Sequence, residues 1–196
     1  MAPLRYHPFY CEENIWHLCQ STRVIGLRRR VVFVSNPSRT VLFFGQRAGE
    51  TDGVVIWDYH VFLLAHAQRW QVWDPDGIAG CPVTTDEYLA RAFPYLYRPA
   101  GHDGGGEVAG SALSPQAGVN PALVPDFRVT DADDYVAHFG SDRRHMRDAH
   151  GAWNRPPPPW SCLGQGHNLH RFVDVTGDFH GEVLDFPAFV ERYASH

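Results

Sequence analysis

The longest apolar stretch of the chain, residues 54–65, is followed after a short polar turn by Trp70-Gln-Val-Trp73. This pair constrains the fold more than any other feature. Both runs are rich in β-branched and aromatic residues, and a connection this short joins strands antiparallel. A lone hairpin is marginal in water, so further strands must complete a sheet. Residues 31–35, 41–45 and 127–130 supply them, and Asn36-Pro37 ends the first of these.

Helical spacing marks other segments. Cys11, Ile15, Leu18, Cys19 and Thr22 fall on one side of a helix that starts at residues 10–11. Glu12 and Glu13 sit in its first turn, where the helix dipole favours acids, and Gly26 is its expected end. A second helix is expected over 85–92, with Thr85 as N-cap and Tyr88, Leu89 and Phe93 inward. A third spans 131–139, with Asp131 or Asp133 at its N-cap. A last short helix lies in 184–193, with Phe186, Phe189 and Val190 inward. The 196 residues suit one domain, 1–196, of α/β (α+β) class: a mostly antiparallel central sheet flanked by helices. Gly, Pro, Ala and Ser dominate the span at about 99–125, which reads as a loop or insertion. Arg28-Arg29-Arg30 reads as a solvated turn before a strand, and Arg155-Pro-Pro-Pro-Pro-Trp160 must run extended.

Composition removes several functions. The formal charge of −5 argues against a nucleic-acid binder, which carries a clustered basic face. No stretch approaches the ~18 apolar residues of a membrane helix, and the first ten residues lack the apolar core of a signal peptide. A protein of the cytosol, reaching the nucleus by diffusion, is the expectation. Cys11, Cys19, Cys81 and Cys162 lack the paired spacings of zinc sites or redox dithiols. His145 with His150, or His167 with His170, lacks a convincing helix and a third ligand, so no metal is expected.

Cys11 stands where a helix begins, a place that depresses a thiol pKa through unpaired N–H groups, although the two following glutamates push the other way. Cys19, in mid-helix, reads as core. His60 lies inside the apolar run 56–64. A hairpin centred near residue 67 sets His60 opposite Asp74, on one face of the sheet, where the carboxylate can accept the imidazole Nδ1–H. Asp76 keeps the same parity and is the second choice. Trp57 and Tyr59 alternate away from His60 and are expected to pack in the core. A helix-borne thiol followed by His and Asp on neighbouring strands is the layout of papain-like and transglutaminase-like enzymes.

Four segments, Tyr10-Cys-Glu-Glu-Asn-Ile-Trp16, Val55-Ile-Trp-Asp-Tyr-His-Val61, Ser141-Asp-Arg-Arg-His-Met146 and Trp153-Asn-Arg-Pro-Pro-Pro-Pro159, resemble the protein N-terminal glutamine amidohydrolase family, in the same order and at compatible spacing. The Gly/Ala/Pro-rich span looks longer here than is usual in that family. The resemblance implies a monomeric transglutaminase-like cysteine hydrolase that uses no metal or other cofactor and has no nucleic-acid or membrane partner. It implies a nucleophile at Cys11, a histidine at His60 and an aspartate at Asp74. It also implies conversion of a protein's N-terminal glutamine to glutamate with release of ammonia, feeding a degradation pathway in eukaryotes. Reading a free α-ammonium requires acids or polar groups near the sulfur; Glu13, Asp58, and Ser141 and Asp142 of the resembling segment are the candidates. A cysteine peptidase or acyltransferase with the same triad is the alternative.

Overall fold

The protein was analysed as a computed structural model, which describes residues 4–49, 53–99 and 119–194. Its centre is a six-stranded sheet of β1 (Arg28–Ser35), β4 (His60–His66), β5 (Trp70–Trp73), β6 (Val83–Thr84), β7 (Asp126–Asp131) and β8 (Glu182–Leu184), in the order β6-β5-β4-β1-β7-β8. Every pairing in it is antiparallel. Two short strands, β2 (Val41–Phe43) and β3 (Val55–Trp57), form a separate ribbon.

The strict period of a strand divides the core in two. Val32, Val34, Phe62, Leu64, Val72 and Phe127 face α2 (Thr85–Ala92) and α5 (Phe186–Tyr193). Their neighbours Val31, Phe33, Val61, Leu63, Ala65 and Trp73 face α1 (Cys11–Cys19), α3 (Ala132–His138) and α4 (Leu169–Val173). Helices therefore cover both faces of the sheet, as expected for an α+β domain. Among the described residues no helix is long and apolar enough to cross a membrane.

Several boundaries differ from the sequence expectation, each for a local reason. The helix α1 ends at Cys19, and Gly26 (φ +86°) belongs to the turn before β1. The strand β1 starts at Arg28 because its arginines find partners. Arg29 is buried, with Nη2 2.7 Å from Asp133 Oδ1, and Arg30 pairs with its cross-strand neighbour Asp131. The N-cap of α2 is Thr84, whose hydroxyl accepts from the Glu87 N–H at 3.3 Å. Asp131 caps α3 through the Asp133 N–H. The strands β6 and β8 and the helix α4 are too short to show a period. Most of the 99–125 expectation lies outside the described residues; within its end, Pro121–Leu123 forms one 3-10 turn capped by Asn120.

The apolar run 54–65 is not one strand. It breaks at Asp58-Tyr59, where the Asp58 carbonyl accepts a hydrogen bond from the Ser35 hydroxyl (2.7 Å) instead of continuing a ladder. This bend separates β3 from β4 and leaves His60 as the first residue of β4, at one end of the sheet.

Candidate active site

The hairpin of β4 and β5 pairs Leu63 with Trp73 and His66 with Trp70. That register lies two residues beyond the expected one, and continued outward it would set His60 against Asp76. A shift of two keeps every side chain on its face, whereas a shift of one would not. The ladder stops at Trp73, and the chain turns at Asp74-Pro75, where proline has no N–H to donate. The turn brings Asp74 Oδ2 to 3.0 Å from His60 Nε2. The nitrogen facing the carboxylate is therefore Nε2 and not Nδ1, which corrects the sequence expectation and leaves Nδ1 as the nitrogen free for other work.

Asp74 is held from three more directions. Tyr88 of α2 donates its hydroxyl to Oδ2 at 2.8 Å, Gln46 donates its amide to the same oxygen at 3.2 Å, and the Asp76 N–H donates to Oδ1 at 3.0 Å. Gln46 is itself fixed by a loop that closes on it. Gly53 (φ +65°) brings its backbone so near that a Cβ would lie 2.7 Å from the Gln46 nitrogen, so no other residue fits there. Burial opposes the charge on Asp74, but the His60 charge and these hydrogen bonds outweigh it and hold its carboxyl below the usual value. Burial likewise opposes an imidazolium at His60, and the Asp74 carboxylate more than offsets it, so the ring titrates above its ordinary range.

Cys11 opens α1 and shares a core cluster with Val61, which places the thiol on the α1 side of β4. The expected depression of its pKa is reversed. Burial first, then the charges of Glu12, Asp76 and Asp74, push the thiol well up. Glu12 acts at short range: its Oε2 lies 3.6 Å from the sulfur. Burial and these charges favour the protonated thiol over the thiolate.

Cys11 and His60 share the wall of a cavity of about 640 Å³, within the usual size of a ligand pocket. Tyr6, Phe9, Trp57, Asp58, Tyr59 and Asp76 line it from the N-terminal half; His145, Met146, Arg155, His167 and His170 line it from the C-terminal half. Trp57 and Tyr59 pack against the two core clusters, as expected, and also line the cavity. The Trp57 ring stacks on His60 with centroids 6.0 Å apart, and the Tyr59 hydroxyl donates to Glu12 Oε2 at 3.1 Å.

Of the four residues expected to read a substrate, only Asp58 lines the cavity. Glu13 is buried away from it, with both oxygens taken by Arg143 (2.7 and 2.8 Å) and Oε2 also by the Trp160 indole (2.6 Å). Ser141 is buried in a bridge to Leu163, and its hydroxyl accepts the Arg143 N–H. Asp142 pairs with Arg144, which holds its carboxyl down at about 2. Sequence reasoning missed Tyr6 and the histidines 145, 167 and 170 as cavity groups. Those three rings stack in a row, 5.6 and 6.1 Å apart. Among the described residues, the donor atoms of His60, Asp74 and Asp76 lie within 4.8 Å of one another. A cation there would have to displace the bond between His60 and Asp74.

A profile of the N-terminal glutamine amidase family matches residues 6–102 and 106–193. The chain belongs to this family. Its match breaks only at 103–105, inside the Gly/Ala/Pro-rich span. Named relatives agree. The protein N-terminal glutamine amidohydrolase of Bos taurus is 34% identical over 200 residues, covering 97% of this chain and 87% of the relative. The Homo sapiens protein of the same name is 33% identical, covering 97% and 88%. The Drosophila virilis one is 35% identical over 206 residues, covering 98% and 90%. The cavity, with its thiol and its carboxylate-bound imidazole, is thus the candidate active site of a family member, and the family match spans nearly every residue that builds it.

Proposed function

We propose that this chain hydrolyses the side-chain amide of a glutamine at a free protein N-terminus, giving glutamate and ammonia, with Cys11, His60 and Asp74 as its catalytic triad. One observation carries the chemical part: an imidazole bonded through Nε2 to a buried carboxylate stands on the wall of a cavity that also holds a helix-opening thiol. Membership of the family supports the substrate.

In this mechanism the Cys11 sulfur attacks the glutamine Cδ while the thiol proton passes to His60 Nδ1. The C=O π bond opens to a tetrahedral oxyanion, for which the Cys11 backbone N–H at the start of α1 is a donor. The oxyanion collapses, the C–N bond breaks, and His60 returns the proton to the leaving nitrogen, which departs as ammonia. Water, deprotonated by His60, then attacks the thioester; the C–S bond breaks and the thiol is restored. Asp74 holds the ring and stabilises the imidazolium in both halves. The raised His60 matches a resting thiol, because the ring must take the proton away from a sulfur that burial keeps protonated. The new N-terminal glutamate would mark the substrate for degradation. The enzyme, in the same reading, acts as a monomer in the cytosol and the nucleus.

The test is a panel of peptides that differ only in their first residue and its blocking. Ammonia release from a Gln-initiated peptide, with the peptide bonds left intact and with no release from an internal glutamine, is the expected result. Peptide-bond cleavage would move the assignment to a cysteine peptidase, and transfer of the acyl group to an added amine would move it to an acyltransferase.

A further inference from the structure

If the chain acts on an N-terminal glutamine, the site must recognise an ammonium at a fixed distance from the carbon under attack. Four bonds of ~1.5 Å separate the glutamine α-nitrogen from Cδ, so the two lie at most ~5 Å apart. The receptor therefore lies within a few ångströms of the Cys11–His60 wall and has a carboxylate oxygen open to the cavity.

Most acids near the sulfur fail this requirement. Asp74 spends Oδ2 on His60, Tyr88 and Gln46, and Oδ1 on the Asp76 N–H. Glu13 is saturated by Arg143 and Trp160. Glu12 is fully buried; Tyr59 takes Oε2, and His145 Nε2 stands 3.4 Å from Oε1. Asp58 lines the cavity but is exposed, with Oδ1 turned back on the Tyr59 N–H at 3.0 Å. An ion pair formed in that much water contributes little.

Asp76 is different. It is 7% exposed, lines the cavity, and has a carboxylate atom within 4.8 Å of the His60 ring nitrogen. The Tyr6 hydroxyl donates to Oδ1 at 2.8 Å, while no hydrogen bond among the described residues reaches Oδ2. We propose that Asp76, steadied by Tyr6, receives the α-ammonium of the substrate and so restricts the reaction to glutamine at a free N-terminus. This rests on the function proposed above. With one oxygen left without a donor and His60 already bonded to Asp74, a buried Asp76 carboxylate gains from an ammonium that arrives. Consistently, burial holds the Asp76 carboxyl above the usual range, and an incoming ammonium would reverse that shift. An acetylated N-terminus loses the charge and leaves Asp76 unpaired, which makes rejection strong.

The experiment compares a Gln-initiated peptide with its desamino analogue, in which a 4-carbamoylbutanoyl group replaces glutamine and only the α-nitrogen is missing. In the native enzyme kcat/KM should favour the amine by about a hundredfold or more. Asp76→Asn should reduce that ratio to within about tenfold of unity, Tyr6→Phe should lower it by about threefold to tenfold, and Asp58→Asn should leave it unchanged. If Asp76→Asn turns over too slowly, protection of Cys11 from iodoacetamide by the Glu-initiated product peptide, against its desamino analogue, gives the same ratio at equilibrium. A native enzyme silent on the Gln peptide would refute the parent reading. An active native enzyme whose preference survives Asp76→Asn, or collapses in Asp58→Asn instead, would refute the assignment of Asp76.

Discussion

Two buried ion pairs flank the start of α1, and they differ in what they leave over. His60 and Asp74 pair through Nε2 and Oδ2, and Glu13 and Arg143 pair through both oxygens and two guanidinium nitrogens. All four side chains are buried. Arg143 spends its other donor capacity on the carbonyls of Pro158, Trp160 and Ser161, and so binds the proline-rich crossing to the helix that carries Cys11. Neither side chain of that pair faces the cavity. His60 does line it, and no hydrogen bond among the described residues reaches its second nitrogen. Burial of charge therefore does not by itself locate chemistry; spare valence pointing into open space does.

Disabling each pair should break different things. Asp74→Asn keeps the shape of the side chain but cannot hold an imidazolium, and kcat/KM on a Gln peptide should fall by about ten-thousand-fold. A fall smaller than about tenfold would remove Asp74 from the mechanism. Arg143→Ala should instead act on stability. Removing one partner of a buried pair leaves the other uncompensated, at a cost of about 3–5 kcal/mol. For a chain of this length that lowers Tm by roughly 10 °C, while folded enzyme at low temperature retains activity within about tenfold. An unchanged Tm with lost activity would reverse the roles assigned to the two pairs.

Acidity separates the pairs further. The carboxyl of Asp74 lies below the ordinary aspartate value of 3.8, so its contribution to stability is present above that value and fades as pH falls through the lowered one. His60 lies above 6.5, so its contribution is complete below 6.5 and fades as pH rises through the raised value. The stability gap between native protein and Asp74→Asn should then be widest between about pH 4 and 6.5 and should narrow towards pH 9. Urea melts at the two pH values measure it. The gap for Arg143→Ala should not narrow between about pH 6.5 and 9, because Arg143 keeps its charge there. Alkylation of Cys11 by iodoacetamide, followed on its own peptide, should have its midpoint above 9.0; a midpoint below 7 would replace the resting thiol with a preformed ion pair.

The two pairs were also unequally legible in the sequence. A thiol at a helix start and a histidine in an apolar run, with an acid on the next strand at matching parity, are local signals. They carried the search to Cys11, His60 and Asp74, and a register error of two left the face unchanged. The Glu13–Arg143 pair spans 130 residues and joins a helix to irregular backbone, and no period announces such a contact. The same holds for the histidine wall. Residues 141–163 are held by isolated bridges, Ser141 to Leu163 and Arg147 to Trp153, so nothing in their spacing shows which way the side chains point. The break of the run at Asp58, beside Trp57 and Tyr59, shows no signal either, because the Ser35 hydroxyl takes the Asp58 carbonyl from the expected ladder.

Asp142 offers the smallest and most discriminating test. It lies beside Arg143 in sequence, in a segment that marks the family resemblance, yet its carboxylate is partly exposed and turned to Arg144 and His167. The exposed Arg144 meets it in water, where salt and hydration leave little net gain. Asp142→Asn should shift Tm by no more than about 1 °C and leave kcat/KM within about twofold, because the buried fork of Arg143 on Glu13 is untouched. The amine preference measured with the desamino peptide should also persist. If it fell instead, the receptor for the α-ammonium would lie on the histidine side of the cavity, and the distinction between a saturated pin at Glu13 and Arg143 and an open corner at Asp76 would have to be redrawn around the loop that the pin holds in place.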